Sequence, residues 1–318
     1  MRRAEFAALI AAASIVAGNR PRIAAAAAEQ APSFRDAVAG IEATISRDRS
    51  GTLIERLGVP RLYHHGKPTS NAVLLFHGFT NCPQQFEELA LRFYNRGCNV
   101  YVPRIPLHGY RNRLTHALEN LDAPLLESAT LKSYRLTRGL GTRISVVGLS
   151  LGGLMAMYLA QTQPIDLAVP IAPFLMPIGV PERIGLAATK LATNLPDQYI
   201  WWDPRIKAAC LPTYAYPGFP SRALAECILF GNGVLRAAKA KQPPLARNCT
   251  LVLNKSESAV NNTVALGVLD AWKSAGAPYK NIVLDDLGKP VHDIIDPTTF
   301  PQARTLVYPK LESIVLGA

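Results

Sequence analysis

Short, uninterrupted apolar runs alternate with stretches of helical spacing along most of this chain. The runs fall at residues 72–76, 99–102, 144–147, 167–171, 251–253 and 282–284. Runs this short, apolar on both faces, suit strands of a parallel sheet that is covered on both sides. Between the first two, residues 83–96 place Phe86, Leu89, Leu91 and Phe93 near helical spacing. Pro83 suits the first turn of that helix and Gly97 its stop. Further helices are predicted over 122–140, 150–161, 262–275 and 302–316, and Pro309 should kink or split the last. Strands alternating with helices imply βαβ units and an open, doubly wound, mostly parallel sheet. Ligands bind such a sheet at the carboxyl ends of its strands, where His77-Gly78 and Ser150 fall.

One interval breaks the rhythm. About 80 residues separate the run at 167–171 from the one at 251–253. They are rich in proline and aromatics, among them Trp201, Trp202, Tyr214, Tyr216 and Phe219. Ser221 is placed to cap a helix reaching about residue 240. The interval is too long for an ordinary loop. It reads as a helical cap over the active edge of the sheet, inserted at about 174–248 in a domain spanning 31–318.

The first 30 residues stand apart. A basic start (Met1-Arg2-Arg3), a short apolar run to Gly18 and a string of alanines before Glu29 resemble a secretory signal. Glu5 and the Asn19–Arg22 break fit a disordered tail instead. The first reading implies export to the periplasm or medium, the second the cytoplasm. The net charge is +11, and its basic residues are mostly dispersed. The denser stretch from Arg104 to Arg113 lies in no nucleic-acid module and reads as a solvated basic face. No apolar stretch reaches the roughly 20 residues needed to span a bilayer. The five cysteines form no Cys-x-x-Cys pair, so no zinc or redox motif is present. In an exported chain, Cys210 and Cys249 could bracket part of the insertion with a disulfide.

The chemistry centres on Gly148-Leu149-Ser150-Leu151-Gly152, directly after the run at 144–147. Serine between glycines at a strand end is the nucleophile-elbow pattern, a turn tight enough to lift the hydroxyl clear of the sheet. Such a serine needs a base, and the base needs an acid to orient it. Of six histidines, only His292 follows Ser150, in a loop after the last strand. Glu257 is the sole carboxylate between the run at 251–253 and the next helix. Asp285 and Asp286, after the last strand, are its rivals. A tetrahedral intermediate needs backbone N–H donors. Leu151 should supply one, and Phe79 or Thr80 the other, on a loop where Gly78 permits close approach.

These motifs together resemble the α/β-hydrolase superfamily, over about residues 50–318. The residues that carry the likeness are His77-Gly78-Phe79-Thr80, the segment from Pro103 to Gly109, Gly148 to Gly153, the acid loop and the late histidine. Within it the chain is similar to capped carboxylesterases and monoacylglycerol-lipase-like serine hydrolases. A glutamate at the acid position departs from the usual aspartate. The resemblance implies ester hydrolysis through an acyl-enzyme: Ser150 attacks, His292 shuttles the proton and Glu257 orients it. An acyltransferase, thioesterase or peptidase would use the same triad, and a non-catalytic binding protein the same fold. No metal or organic cofactor is implied. The insertion's aromatics, with Trp201, Trp202, Tyr216 and His108 as candidate contacts, suit a small ester with an apolar acyl or aromatic part. Such residues more often form an insertion's own core.

Overall fold

The computed structural model describes residues 30–192, 196–210, 212–285, 287 and 290–317. The expected signal or tail therefore lies outside the described residues. Seven strands form the main sheet, in the order β1-β3-β2-β4-β5-β8-β9. They are β1 (Arg61–Tyr63), β2 (Thr69–Phe76), β3 (Asn99–Val102), β4 (Gly141–Leu149), β5 (Leu167–Ile171), β8 (Thr250–Asn254) and β9 (Lys280–Leu284). Only β1, an edge strand absent from the sequence reading, runs antiparallel to its neighbour; the other pairs are parallel.

The six apolar runs are these parallel strands. β2 and β4 are buried from Asn71 and Ile144 onward, because helices cover both faces and no solvated face imposes alternation. The helices are α1 (Phe34–Ser50), α2 (Glu87–Asn95), α3 (Ala123–Thr137), α4 (Leu151–Thr162), α5 (Glu182–Ala192), α6 (Ser221–Lys239), α7 (Asn262–Ser274) and α8 (Tyr308–Leu316). Every residue of α4 is buried, so this helix is apolar all round and forms the centre of the core. The expected helix over 83–96 is divided: a 3-10 turn, Pro83–Phe86, leads into α2. The last helix is split as Pro309 required. A π-helical turn, Ala303–Val307, precedes α8, and the proline occupies the first turn of α8, where a missing N–H costs nothing.

The interval between β5 and β8 holds α5, a small antiparallel pair of β6 (Tyr199–Trp201) and β7 (Gly218–Pro220), and α6. Ser221 does not cap α6 as expected. It is the helix's first residue, with Pro220 at the cap, and its hydroxyl donates instead to Asp197 Oδ1 at 2.9 Å.

Two other expectations are corrected. All five cysteines are free thiols, so Cys210 and Cys249 are not joined. The stretch from Arg104 to Arg113 is not simply a solvated basic face. Arg104 pairs with the buried Asp48 of α1 at 2.8 Å. Arg113 donates to the carbonyls of Ala215 and Cys210, each at 2.7 Å, and so ties the insertion to the loop after β3.

Sheet register positions the site. Phe76 lies beside Gly148 across the β2–β4 pair. The His77-Gly78 loop and Ser150 therefore leave the sheet side by side at its carboxyl edge.

Candidate active site

The elbow is built from backbone geometry. Ser150 has φ +57° and ψ −114°, a region that costs a non-glycine residue about 1–3 kcal/mol. Surrounding hydrogen bonds hold it there. Its N–H donates to Ile171 O, and its carbonyl accepts from Leu154 and Phe174 N–H, all at 2.9 Å. The flanking glycines are steric requirements. A Cβ on Gly148 would collide with the Gly152 carbonyl, and one on Gly152 with the Phe76 carbonyl. Ser150 borders a cavity of about 970 Å³.

His292 and Glu257 border the same cavity. His292 Nδ1 donates to Glu257 Oε1 at 2.8 Å. That oxygen also accepts the N–H groups of Ala259 at 2.7 Å and Ser258 at 2.8 Å. The Glu257 side chain is 3% exposed and that of His292 22%. Burial disfavours both charges, but the pair reverses the outcome. The Glu257 charge and hydrogen bond raise the His292 pKa above the ordinary histidine value. The imidazole, with the N–H groups of Ala259 and Val260 (the latter at 3.3 Å), holds Glu257 below the ordinary glutamate value. Of the rival acids, Asp285 is 74% exposed and faces Lys255 at 3.6 Å. Asp286 lies outside the described residues.

Asn254 fastens the two loops that present this pair, a role the sequence reading did not assign. It is fully buried, donates from Nδ2 to Val291 O, and accepts the Ser256 N–H at 2.9 Å. Val291 N–H donates to Ser256 O at 3.2 Å. Both residues adjoining the pair, Ser256 and Val291, are thus held by one asparagine.

The loop after β2 is equally constrained. His77 is a structural residue: Nε2 accepts the Ile105 N–H at 3.1 Å and Nδ1 donates to Gly78 O at 2.9 Å. Burial, then His108 alongside, keeps its ring neutral. Gly78 N–H is engaged by Gln85 Oε1 at 2.7 Å. The N–H groups of Phe79, Thr80 and Leu151 have no protein acceptor among the described hydrogen bonds. Thr80 has φ +65°, and its carbonyl accepts the Tyr216 N–H from the insertion at 2.8 Å.

The cavity has two characters. Toward the insertion it is lined by Phe174, Ile178, Val180, Trp202, Phe219 and Leu224; toward the histidine loop by Asn81, Gln85, Asp293 and Thr299. Of the aromatics singled out from sequence, Trp202 and Phe219 line it. Trp201, Tyr214, Tyr216 and His108 do not. Trp201 packs on Tyr199 with ring centroids 5.0 Å apart. Tyr214 bonds Asp296. Tyr216 accepts the Tyr110 N–H and donates to Leu107 O, each at 2.9 Å. His108 is fully buried against the Phe79 ring, and burial pushes its pKa down to about 4.

The fold and this elbow define an α/β hydrolase, and the chain belongs to that family, whose model matches residues 73–311. A thermostable monoacylglycerol lipase from Bacillus sp. (strain H-257) is 33% identical over 95 residues. That match covers 29% of this chain and 36% of the lipase, so the chain spans about a third of that relative's length. Among solved structures, one from the metagenome-derived lipolytic enzymes LipS and LipT superposes with a TM-score of 0.62 at 20% identity, covering 83% of this chain and all of that one. A monoacylglycerol lipase from Paleococcus ferrophilus gives 0.58 at 15% identity, covering 81% and 98%. At these identities the structural likeness speaks for the fold.

Proposed function

We propose that this protein is a serine hydrolase that cleaves carboxylic esters through an acyl-enzyme, with Ser150, His292 and Glu257 as its triad. One observation carries the reading. The His292–Glu257 hydrogen bond and the strained Ser150 border a single, largely apolar cavity. The nature of the relatives, lipolytic enzymes and monoacylglycerol lipases, supports esters as the substrate class.

In this mechanism Ser150 Oγ bonds to the ester carbonyl carbon as its proton passes to His292 Nε2. Glu257, held on Nδ1, fixes the tautomer that leaves Nε2 as acceptor and stabilises the imidazolium. The oxyanion meets the N–H groups of Phe79 and Leu151. The carbon–oxygen bond to the leaving group breaks as His292 returns the proton, releasing an alcohol. Water then adds to the acyl carbon, giving its proton to His292. Collapse frees the carboxylic acid and restores the serine hydroxyl. The insertion acts as a cap, whose apolar lining receives the acyl or aromatic part.

A labelled fluorophosphonate should modify the wild-type protein, and Ser150→Ala should abolish the labelling. Nitrophenyl esters of graded acyl length should be hydrolysed faster than thioester or amide analogues. Labelling that survives Ser150→Ala, or activity confined to amides, would overturn this reading.

A further inference from the structure

Gln85 joins two parts of the site that the triad leaves unconnected. It is 3% exposed and sits in the 3-10 turn ahead of α2. Its Oε1 accepts the Gly78 N–H at 2.7 Å, and its Nε2 donates to Asp293 Oδ2 at 2.7 Å. Gly78 adjoins Phe79, the oxyanion donor; Asp293 adjoins His292.

The polarity of this bridge is fixed. The Gly78 N–H can only donate, so Gln85 must turn its oxygen toward the loop and its amide N–H toward Asp293. Asp293 must then offer a lone pair at Oδ2. Its other oxygen is already committed, accepting the N–H groups of Asp296 at 3.0 Å and Ile295 at 3.1 Å. A carboxylate at 293 meets all of these donors, whereas an amide would turn an N–H group toward one of them. The arrangement is maintained against a cost, since burial and the nearby Asp296 push the Asp293 carboxyl up to about 6. A buried charge retained in this way needs its partners, and among the described residues Gln85 donates to Oδ2 at 2.7 Å and Asn81 Nδ2 more distantly at 3.5 Å.

We propose that Gln85 is a positioning residue for the reaction, bridging Gly78 to Asp293 so that the oxyanion loop and the histidine loop hold one spacing. The proposal rests on the serine-hydrolase reading above. The bridge acts on the transition state. It contacts the backbone one residue before the Phe79 donor, and a donor stabilises charge only where its distance to the developing oxyanion is kept. Loosening it should lower kcat and leave KM nearly unchanged.

The test is a charge swap in the full-length protein, with kcat expressed per serine that a fluorophosphonate can label. Gln85→Glu opposes two carboxylates, and Asp293→Asn opposes two amide N–H groups or turns Gln85 away from Gly78. Each should lower kcat about 10- to 100-fold, less than the outright loss of an oxyanion donor, with KM within about threefold. The double variant Gln85→Glu/Asp293→Asn rebuilds the bridge with the amide and the charge exchanged. It should recover kcat to within about fivefold of wild type, a non-additivity that residues without direct contact do not show. Single variants that keep kcat within about twofold of an active wild type would overturn the bridge alone, as would a double variant no better than the worse single. A wild type that neither labels nor hydrolyses esters would overturn the serine-hydrolase reading and this proposal with it.

Discussion

Trp202 donates its indole N–H to the hydroxyl of Thr80 at 2.8 Å. The contact joins the insertion to the loop after β2 at its strained residue. The same hydroxyl donates to Phe79 O at 2.6 Å, so a residue of the insertion reaches Phe79 through one side chain. Tyr216 holds the Thr80 carbonyl from the same direction.

Trp202→Phe keeps a ring in the cavity but removes the donor. A hydrogen bond of this kind is worth about 0.5–1.5 kcal/mol, so kcat on a short ester should fall about 2- to 10-fold. Steady-state kinetics on nitrophenyl esters measure it. An unchanged kcat would show that Thr80 holds its conformation without the indole.

Glu257→Gln should lower kcat about 1000- to 10,000-fold, because an amide can present its N–H to His292 and stabilise the wrong tautomer. Asp285→Asn should leave activity unchanged, since Asp285 is 74% exposed and faces Lys255. The rate of fluorophosphonate labelling compares the two variants directly. A silent Glu257→Gln would move the acid role to another residue.

The pH dependence follows from the same pair. In the proposed mechanism His292 must be neutral to accept the serine proton, and its pKa is raised above the ordinary 6.5. The acid limb of kcat/KM, which reports the free enzyme, should therefore have its midpoint above 6.5. The pair also stabilises the fold within a window. The His292 contribution is complete below 6.5 and fades as pH rises through its raised folded value. The Glu257 contribution is present above about 4.5 and fades as pH falls through its lowered folded value. The Tm difference between wild type and His292→Gln should therefore be largest between those two values. A difference that grows steadily toward alkaline pH would contradict the raised pKa.

Ser150→Gly and Ser150→Ala both remove the proposed nucleophile, but only glycine relaxes at φ +57°. The glycine variant should be more stable than the alanine variant by about 1 kcal/mol, after glycine's own entropic cost. Thermal unfolding of the two inactive proteins provides the comparison. A more stable alanine variant would mean that the elbow is not strained.

The sheet was legible because burial on both faces leaves each parallel strand as a bare apolar run. Residues 99–102 and 167–171 coincide with β3 and β5. The elbow was legible because sterics allow only glycine at 148 and 152. The edge strand β1 was not, because its three residues are all only half-buried and carry no such run. Nor were Asn254, Gln85 and Asp293. Their role lies in which donors and acceptors meet across loops far apart in sequence, and a polar residue in a loop gives no periodic signal. The aromatics of the insertion misled for a related reason. Composition marks Tyr216 and Trp202 alike, yet one seals a seam and the other faces the cavity.

The ion pair between Arg104 and Asp48 sets a limit on how far the chain can be trimmed from its amino end. Asp48 belongs to α1, whose Ala37, Ile41 and Ile45 are buried in the core. Removing the residues ahead of Ser33, the cap of α1, leaves this ledger of contacts untouched. A truncation extending past Asp48 would strip Arg104 of its partner, and breaking such a buried pair costs about 3–5 kcal/mol. Arg104 also donates to the His108 carbonyl at 3.2 Å, and His108 lies against Phe79. Loss of α1 would thus be felt at the carboxyl edge of the sheet, which the helix does not touch.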